Sequence, residues 1–260
     1  MQTRTLPAQR GWAWITEGFA LWKRNPALLT FLVFAYWFCL LVLAAVPFVG
    51  QVLMSLAMPA LSLGIYNGCK AVAQKRKTGP EILVSGFKQN LPEQIKIGGI
   101  YLAGTFVVLG LTALVDGGIL AELMLGKRKL DDATADDPLL TASLLVGTLG
   151  STPLMMAYWF APLLAGWGRV SAVKAMFFSF VACWRNWRAF FAYTASAAAI
   201  AVLIPALLLA LFNHLGGPIG SFLGTLVQLL ILLTAAPVLA TGAYCSYREI
   251  MAETPPEEPA

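Results

Sequence analysis

Few residues in this chain could do chemistry, and none is spaced for a known reaction. Asp131, Asp132, Asp136 and Asp137 could attract a divalent cation. The run lacks the central glycine and terminal bidentate glutamate of a calcium-binding loop, so a solvated loop is expected. His214, the sole histidine, lies in the short segment from Asn213 to Pro218 and reads as solvated rather than as a ligand or base. Cys39, Cys69, Cys183 and Cys245 include no CxxC pair and imply neither a zinc site nor a disulfide framework. No GxSxG, HExxH or Walker loop occurs, which leaves acyl transfer, metalloproteolysis and nucleotide hydrolysis without support. No catalytic residue, metal or cofactor is expected.

The elements that carry these residues are overwhelmingly apolar. The 260 residues are 58% hydrophobic and 12% charged, with a mean hydropathy of +0.73, too little polar surface for a water-soluble fold. Six apolar stretches read as transmembrane helices, at about 25–46, 49–72, 97–115, 141–165, 189–212 and 219–244. About 20 helical residues cross a hydrocarbon core of roughly 30 Å. The stretches are continuous, without the alternation of barrel strands. The first is too long for a signal peptide and reads as an uncleaved span. Their deep interiors lack Asp, Glu, Lys, Arg and His, so an ion-coupled pump would have no residue to hold its charge there. Gln228, inside the last stretch, is expected to bond across to a neighbouring helix. The expected fold is an all-α polytopic bundle over residues 1–251, with a disordered acidic tail at 252–260.

Charge placement sets the expected orientation. Of 18 Lys and Arg, 15 fall in the N-terminal arm, the loops after the second and fourth stretches, and the tail. Only Lys127, Arg128 and Lys129 fall elsewhere, in a loop whose net charge is negative. Cationic loops stay cytoplasmic, which places both termini there. This distribution also explains the net charge of +5 without nucleic acid. The expected partner is the bilayer, with its anionic inner-leaflet lipids; a second copy or another membrane protein stays open.

The chain also repeats itself. Phe19 to Asn25 reads FALWKRN and Phe180 to Asn186 reads FVACWRN, with a shorter echo at Gly86 to Asn90. Pro59-Ala60-Leu61 precedes Gly64 and Tyr66 at the same offsets by which Pro237-Val238-Leu239 precedes Gly242 and Tyr244. Pro162-Leu163-Leu164 leads to Trp167 in the equivalent place. Three units are expected, each an interfacial cytoplasmic amphipathic helix, an outgoing span and a returning span with a proline. Trp12, Trp14, Phe19, Trp22, Phe180, Trp184 and Trp187 are the expected membrane-interface residues, since aromatic rings settle at headgroup depth. Gly64, Gly68, Gly216, Gly220 and Gly224 are expected to let helices approach closely, within the bundle rather than between copies. Pro59, Pro162, Pro205 and Pro237 are expected to kink their helices.

Gly11-Trp12-x-Trp14-Ile15, Gly18-Phe19 and Lys23-Arg24-Asn25-Pro26 resemble the opening signature of a proteobacterial family of polytopic inner-membrane proteins, the BPSS-type family. The likeness continues through Pro59 to Lys70 and Pro162 to Trp187. It implies a Gram-negative inner membrane and six helices, and supplies no catalytic residue. The chain is more distantly similar to the membrane domain fused to some glycerophosphodiester phosphodiesterases, without their catalytic domain. The expected function is non-enzymatic: envelope maintenance or lipid-associated scaffolding. A small-molecule or lipid transporter and an accessory subunit of a larger membrane complex are the alternatives.

Overall fold

The computed structural model describes residues 4–124, 126–129, 131 and 136–251, apart from the side chains of 213, 215, 216, 218, 219 and 221. Part of the acidic run, the tail at 252–260 and the surroundings of Gly216 thus lie outside the described residues.

Local sequence signals start the helices. At the first span, Asn25 Oδ1 accepts from Leu28 N at 3.2 Å and Pro26 follows it, so α2 (Pro26–Ala44) begins with a capped turn and a preset φ. Pro138, after the capping Asp137, starts the fourth span in the same way. The order is α1 (Gln9–Trp22), α2, α3 (Gly50–Ala73), a 3-10 segment (Pro80–Lys88), α4 (Leu91–Asp116) and the short α5 (Ile119–Met124). After these come α6 (Pro138–Trp159), α7 (Ala161–Gly166), α8 (Ala172–Arg185), α9 (Trp187–Ala198), a π turn (Ala199–Leu203) and α10 (Ile204–Ile250). No strand occurs among the described residues. Six helical stretches are long and apolar enough to cross a membrane: Pro26–Ala44, Gly50–Ala73, Leu91–Asp116, Pro138–Gly166, Trp187–Phe212 and Phe222–Ile250.

Two boundaries differ from the sequence reading. The third span starts at Leu91 rather than near Ile97, because Asn90, at φ 53°, ends the 3-10 segment and Pro92 can open a helix. The polar first turns of α4 had hidden this start. The segment from Asn213 to Pro218, expected as a loop, lies inside α10. A straight helix of 47 residues would be about 70 Å long. Instead the chain reverses near Gly217, whose φ of +55° only glycine adopts without strain. Gly220 then comes against Phe212 O, and a Cβ on Gly224 would stand 2.9 Å from Leu209 Cδ1.

Each hairpin of spans is preceded by a short helical segment, and each segment docks on a returning span. The 3-10 segment packs on α3 and α8 on α6 and α7, while α1 packs on α10, the last span. The chain's first and last helices therefore close a ring. Small residues make the docking close. A Cβ on Gly18 would stand 2.6 Å from Gly242 N and 2.7 Å from Val238 O. Gly86 lies against Ala60 O, and Gly64 against Leu83 O. Ser179 takes the equivalent place in α8, where Phe160 N donates to its Oγ at 2.8 Å and the Oγ donates to Met156 O at 2.7 Å. Gly68 faces the Leu32 side chain of α2.

The prolines act in different ways. Pro59 and Pro237 lie inside continuous helices, and Gly98 brings its backbone against Ser55 O, the carbonyl that Pro59 leaves unpaired. Near Pro162 the helix is interrupted at the single residue Phe160, and Pro205 follows the π turn.

The core gathers at the docked ends: Trp14, Leu29, Leu32, Leu63, Ile97, Phe160, Leu163 and Leu164 are all buried. The far halves keep Leu41, Phe106, Leu114, Leu149, Leu211 and Phe222 exposed, which hydrocarbon tolerates. Gly18→Leu and Gly86→Leu should each destabilise the fold by at least about 3 kcal/mol, seen as a lower melting temperature in detergent. Gly110→Leu, at a glycine with open space around it, should leave that temperature unchanged.

Candidate lipid-facing site at the basic end

The docked end collects most of the cations, so it is called the basic end. Its segments present aromatic rings and charges together. In the two copies of the repeated motif the rings stack alike: Phe19 on Trp22 at 5.7 Å and Phe180 on Trp184 at 6.0 Å. Lys23 Nζ sits 4.9 Å over the Phe19 ring, and the Arg188 guanidinium lies 5.5 Å from the Trp187 ring. Trp12, Phe19, Trp184 and Trp187 are exposed, whereas Trp22 and Phe180 are half-buried. Trp22 Nε1 donates to Thr30 Oγ1 at 3.0 Å, tying α1 to α2.

Trp14 departs from expectation. It is 0% exposed, packed against Phe190 and Tyr193, with Nε1 donating to Glu249 Oε2 at 2.6 Å. The reason is the phase of the helix. The buried face of α1 is Gly11, Trp14, Ile15, Gly18 and Leu21, with Gly11 against Ala189 and Tyr193 of α9 and Gly18 against Val238 and Gly242 of α10.

Glu249 is the acid that sequence reasoning missed. Arg10 Nε lies 2.8 Å from Glu249 Oε1 and Arg10 Nη2 2.7 Å from Glu17 Oε1, with Arg248 3.9 Å from Glu17. Hydrogen bonding to Glu249 holds the Arg10 guanidinium above its usual range, against burial that lowers it. The network locks the first helix to the last. The asparagines of the repeat do similar work. Asn90 Nδ2 donates to Ala165 O at 2.9 Å across to α7. Asn186 accepts from Leu6 N at 2.8 Å and donates to Arg4 O at 2.9 Å, so it pins the N-terminal arm. Trp167 closes the middle of this end, with its Nε1 donating to Asn67 Oδ1 at 2.8 Å and Lys70 Nζ 4.5 Å over its ring. The recurrence of Asn in each motif was the signal for two of these contacts.

Between α1 and the end of α3 lies an open basin of about 740 Å³, lined by Arg24, Asn25, Val72, Lys75, Arg76, Lys77 and Thr78. None of its four cations has a carboxylate partner among the described residues. Lys75 N bonds to Val72 O and Arg76 N to Ala71 O, a helix-ending turn that puts Lys75 at φ 56°. Glycine would hold that position at less cost, so this turn places a cation where strain disfavours it.

At the opposite end, Asp116 is 4% exposed; it accepts from Gly118 N at 2.8 Å and Leu120 N at 2.9 Å and caps α5. No group of three or more His, Cys, Asp or Glu among the described residues could hold a metal ion.

An all-α bundle with six membrane-spanning stretches and basic, aromatic segments at one end is an integral membrane protein. The chain is 31% identical over 253 residues to the probable inner membrane protein BTH_II0599 of Burkholderia thailandensis, covering 95% of this chain and 91% of that protein. The chain belongs to the family of that inner membrane protein. No family model matches, and neither does any solved structure. The distant similarity to the phosphodiesterase membrane domain gains no support from these comparisons.

Glu249→Ala should cost about 1–3 kcal/mol by leaving Trp14 Nε1 buried without its acceptor, measured as a lowered melting temperature. Burial pushes the Cys183 thiol up to about 12. At pH 8 only about one thiol in ten thousand would then be thiolate, so maleimide should label Cys183 only after unfolding.

Proposed function

We propose that the protein is a non-enzymatic, lipid-associated scaffold of the bacterial inner membrane, serving envelope maintenance with both termini in the cytoplasm. Its basic end would rest against the anionic headgroups of the inner leaflet. The unpaired cationic basin of Arg24, Lys75, Arg76 and Lys77 carries this reading. A phosphate-bearing headgroup would supply the counter-charge the protein withholds, with Asn25 and Thr78 as polar neighbours. The exposed rings of Trp12, Trp184 and Trp187 would hold the segments at headgroup depth. The asymmetry of Lys and Arg supports the orientation.

The test is native mass spectrometry of the gently extracted protein. Replacing the four basin cations by Gln should cut retained phosphatidylglycerol and cardiolipin at least tenfold, given about 1 kcal/mol per cation near an anionic surface. Unchanged retention would reject the site. A reporter inserted after Lys77 should signal from the cytoplasm, and one after Lys127 from outside it; the reverse would overturn the orientation.

A second reading, a small-molecule or lipid transporter, draws on the break at Phe160 and the π turn before Pro205, both at membrane depth. Accelerated movement of a labelled phospholipid across vesicles containing the protein would favour it.

A further inference from the structure

The far half of the last hairpin packs mainly on itself. Gly220 and Gly224 turn toward its outgoing limb, and they are the buried residues among those described between 206 and 234. Leu207, Leu211, Phe222, Leu226, Leu230 and Leu233 are exposed, which the bilayer accepts. A polar side chain in the same place must find a partner. The Thr234 hydroxyl finds one in its own helix, at Leu230 O, 2.9 Å away. Gln228, expected to bond across to a neighbouring helix, does not: it is exposed and makes no hydrogen bond to any described residue.

Its depth follows from helix geometry. Asn213 and His214 stand just before the reversal at Gly217 and mark the level at which the hairpin leaves the hydrocarbon. Gln228 follows Gly217 by 11 residues. At 1.5 Å per residue that is about 16 Å, half the thickness of the hydrocarbon. The amide therefore sits near the bilayer midplane, out of reach of water and headgroups. It carries two N–H donors and a carbonyl, and lipid tails satisfy none of them.

Gln228 also points away from the other spans of its own chain. Ala236 and Ala240 mark the side of α10 that meets those spans, since they line a cavity of about 320 Å³ with Val33, Tyr36, Trp37 and Tyr158. At 100° per residue, Gln228 lies about 80° and 120° round the helix from the two alanines. Thr225 and Leu232, three residues before it and four after, share its face, and both are exposed. Leu226 points nearly the opposite way.

We propose that this face of α10 is the interface with a second copy of the chain. Two copies inserted in the same direction carry Gln228 at the same depth. A two-fold axis along the membrane normal then brings the amides together, and the NH2 of each donates to the carbonyl of the other. The amide is its own complement, so a second copy meets it without any further polar residue. The spacing of Thr225, Gln228 and Leu232 is that of a helix–helix seam, and one amide in such a seam fixes which residues face each other. The interface does not rest on the headgroup reading, which concerns the other end of the bundle.

The test uses the full chain in lipid vesicles. With the four native cysteines replaced by serine or alanine, Leu232→Cys should form a disulfide-linked dimer with a lipid-soluble oxidant. Leu226→Cys, on the other side of α10, should stay monomeric. Separately, energy transfer between donor-labelled and acceptor-labelled copies is followed as lipid is added. Gln228→Leu should weaken self-association about tenfold, the scale of one to two interhelical polar bonds. Gln228 bonds no described residue of its own chain, so this substitution leaves the fold intact. Absence of self-association in the unsubstituted chain, cross-linking of Leu226→Cys to the same extent as Leu232→Cys, or undiminished association of Gln228→Leu would overturn the proposal. So would recovery of a different membrane protein, rather than a second copy, linked through Leu232→Cys in native membranes.

Discussion

Backbone laid directly on backbone is the constraint on which this structure rests. Within hydrocarbon, two helices gain nothing by hiding apolar side chains, since lipid is as apolar as they are. What remains is dispersion contact at close approach and hydrogen bonding between groups that lipid cannot satisfy. The protein uses both at three equivalent places. Gly18 lies against Val238 and Gly242, Gly86 against Ala60 and Gly64, and Ser179 against Met156 and Phe160. In the third place a hydroxyl replaces the missing contact by bonding the backbone opened at the helix break. Since α1 docks on the last span, the three contacts close into a ring and hold chain ends that are distant in sequence.

This arrangement explains why the two ends of the bundle differ. The docked end is dense and bonded across its elements: Asn186 to the N-terminal arm, Gln94 Nε2 to Pro162 O, and Tyr193 Oη to Leu239 O. It also faces water and headgroups, so ionic contacts such as Arg10 with Glu249 can be used there. Beyond the docking level the hairpins contact one another less, and their exposed faces are Leu, Val and Phe. A cavity lined by aromatic residues lies where the dense half gives way to the open one. A dense, polar end and an open, apolar one are thus consequences of one packing choice.

Much of this was legible in the sequence. Continuous apolar stretches showed the six spans, because length and hydropathy act on each helix alone. The Phe-to-Asn motif and the proline offsets marked the units whose docking the structure displays. Features that depend on helix phase or on distant partners were not legible. Trp14 looked like another interfacial ring, yet the neighbouring Gly11 and Gly18 turn its face inward and Glu249, 235 residues away, accepts the hydrogen bond from its N–H. The burial of Asp116 left no mark in the sequence, because its partners are backbone N–H groups of the following turn. The reversal at Gly217 read as a loop because a proline and two glycines surround it.

Disulfide trapping of the docked backbones is the most direct measurement of this account. In a chain whose four native cysteines are replaced by serine or alanine, Asn67→Cys paired with Ser85→Cys, whose native side chains meet at 2.7 Å across α3 and the 3-10 segment, should cross-link within the monomer on mild oxidation. Arg10→Cys paired with Glu249→Cys, which replaces the ion pair between the first helix and the last, should be joined by a short bifunctional thiol reagent. Ser85→Cys paired with Glu249→Cys should stay unlinked under both treatments. Efficient linking of that mismatched pair, or failure of both matched pairs in the folded protein, would contradict the ring of docked segments.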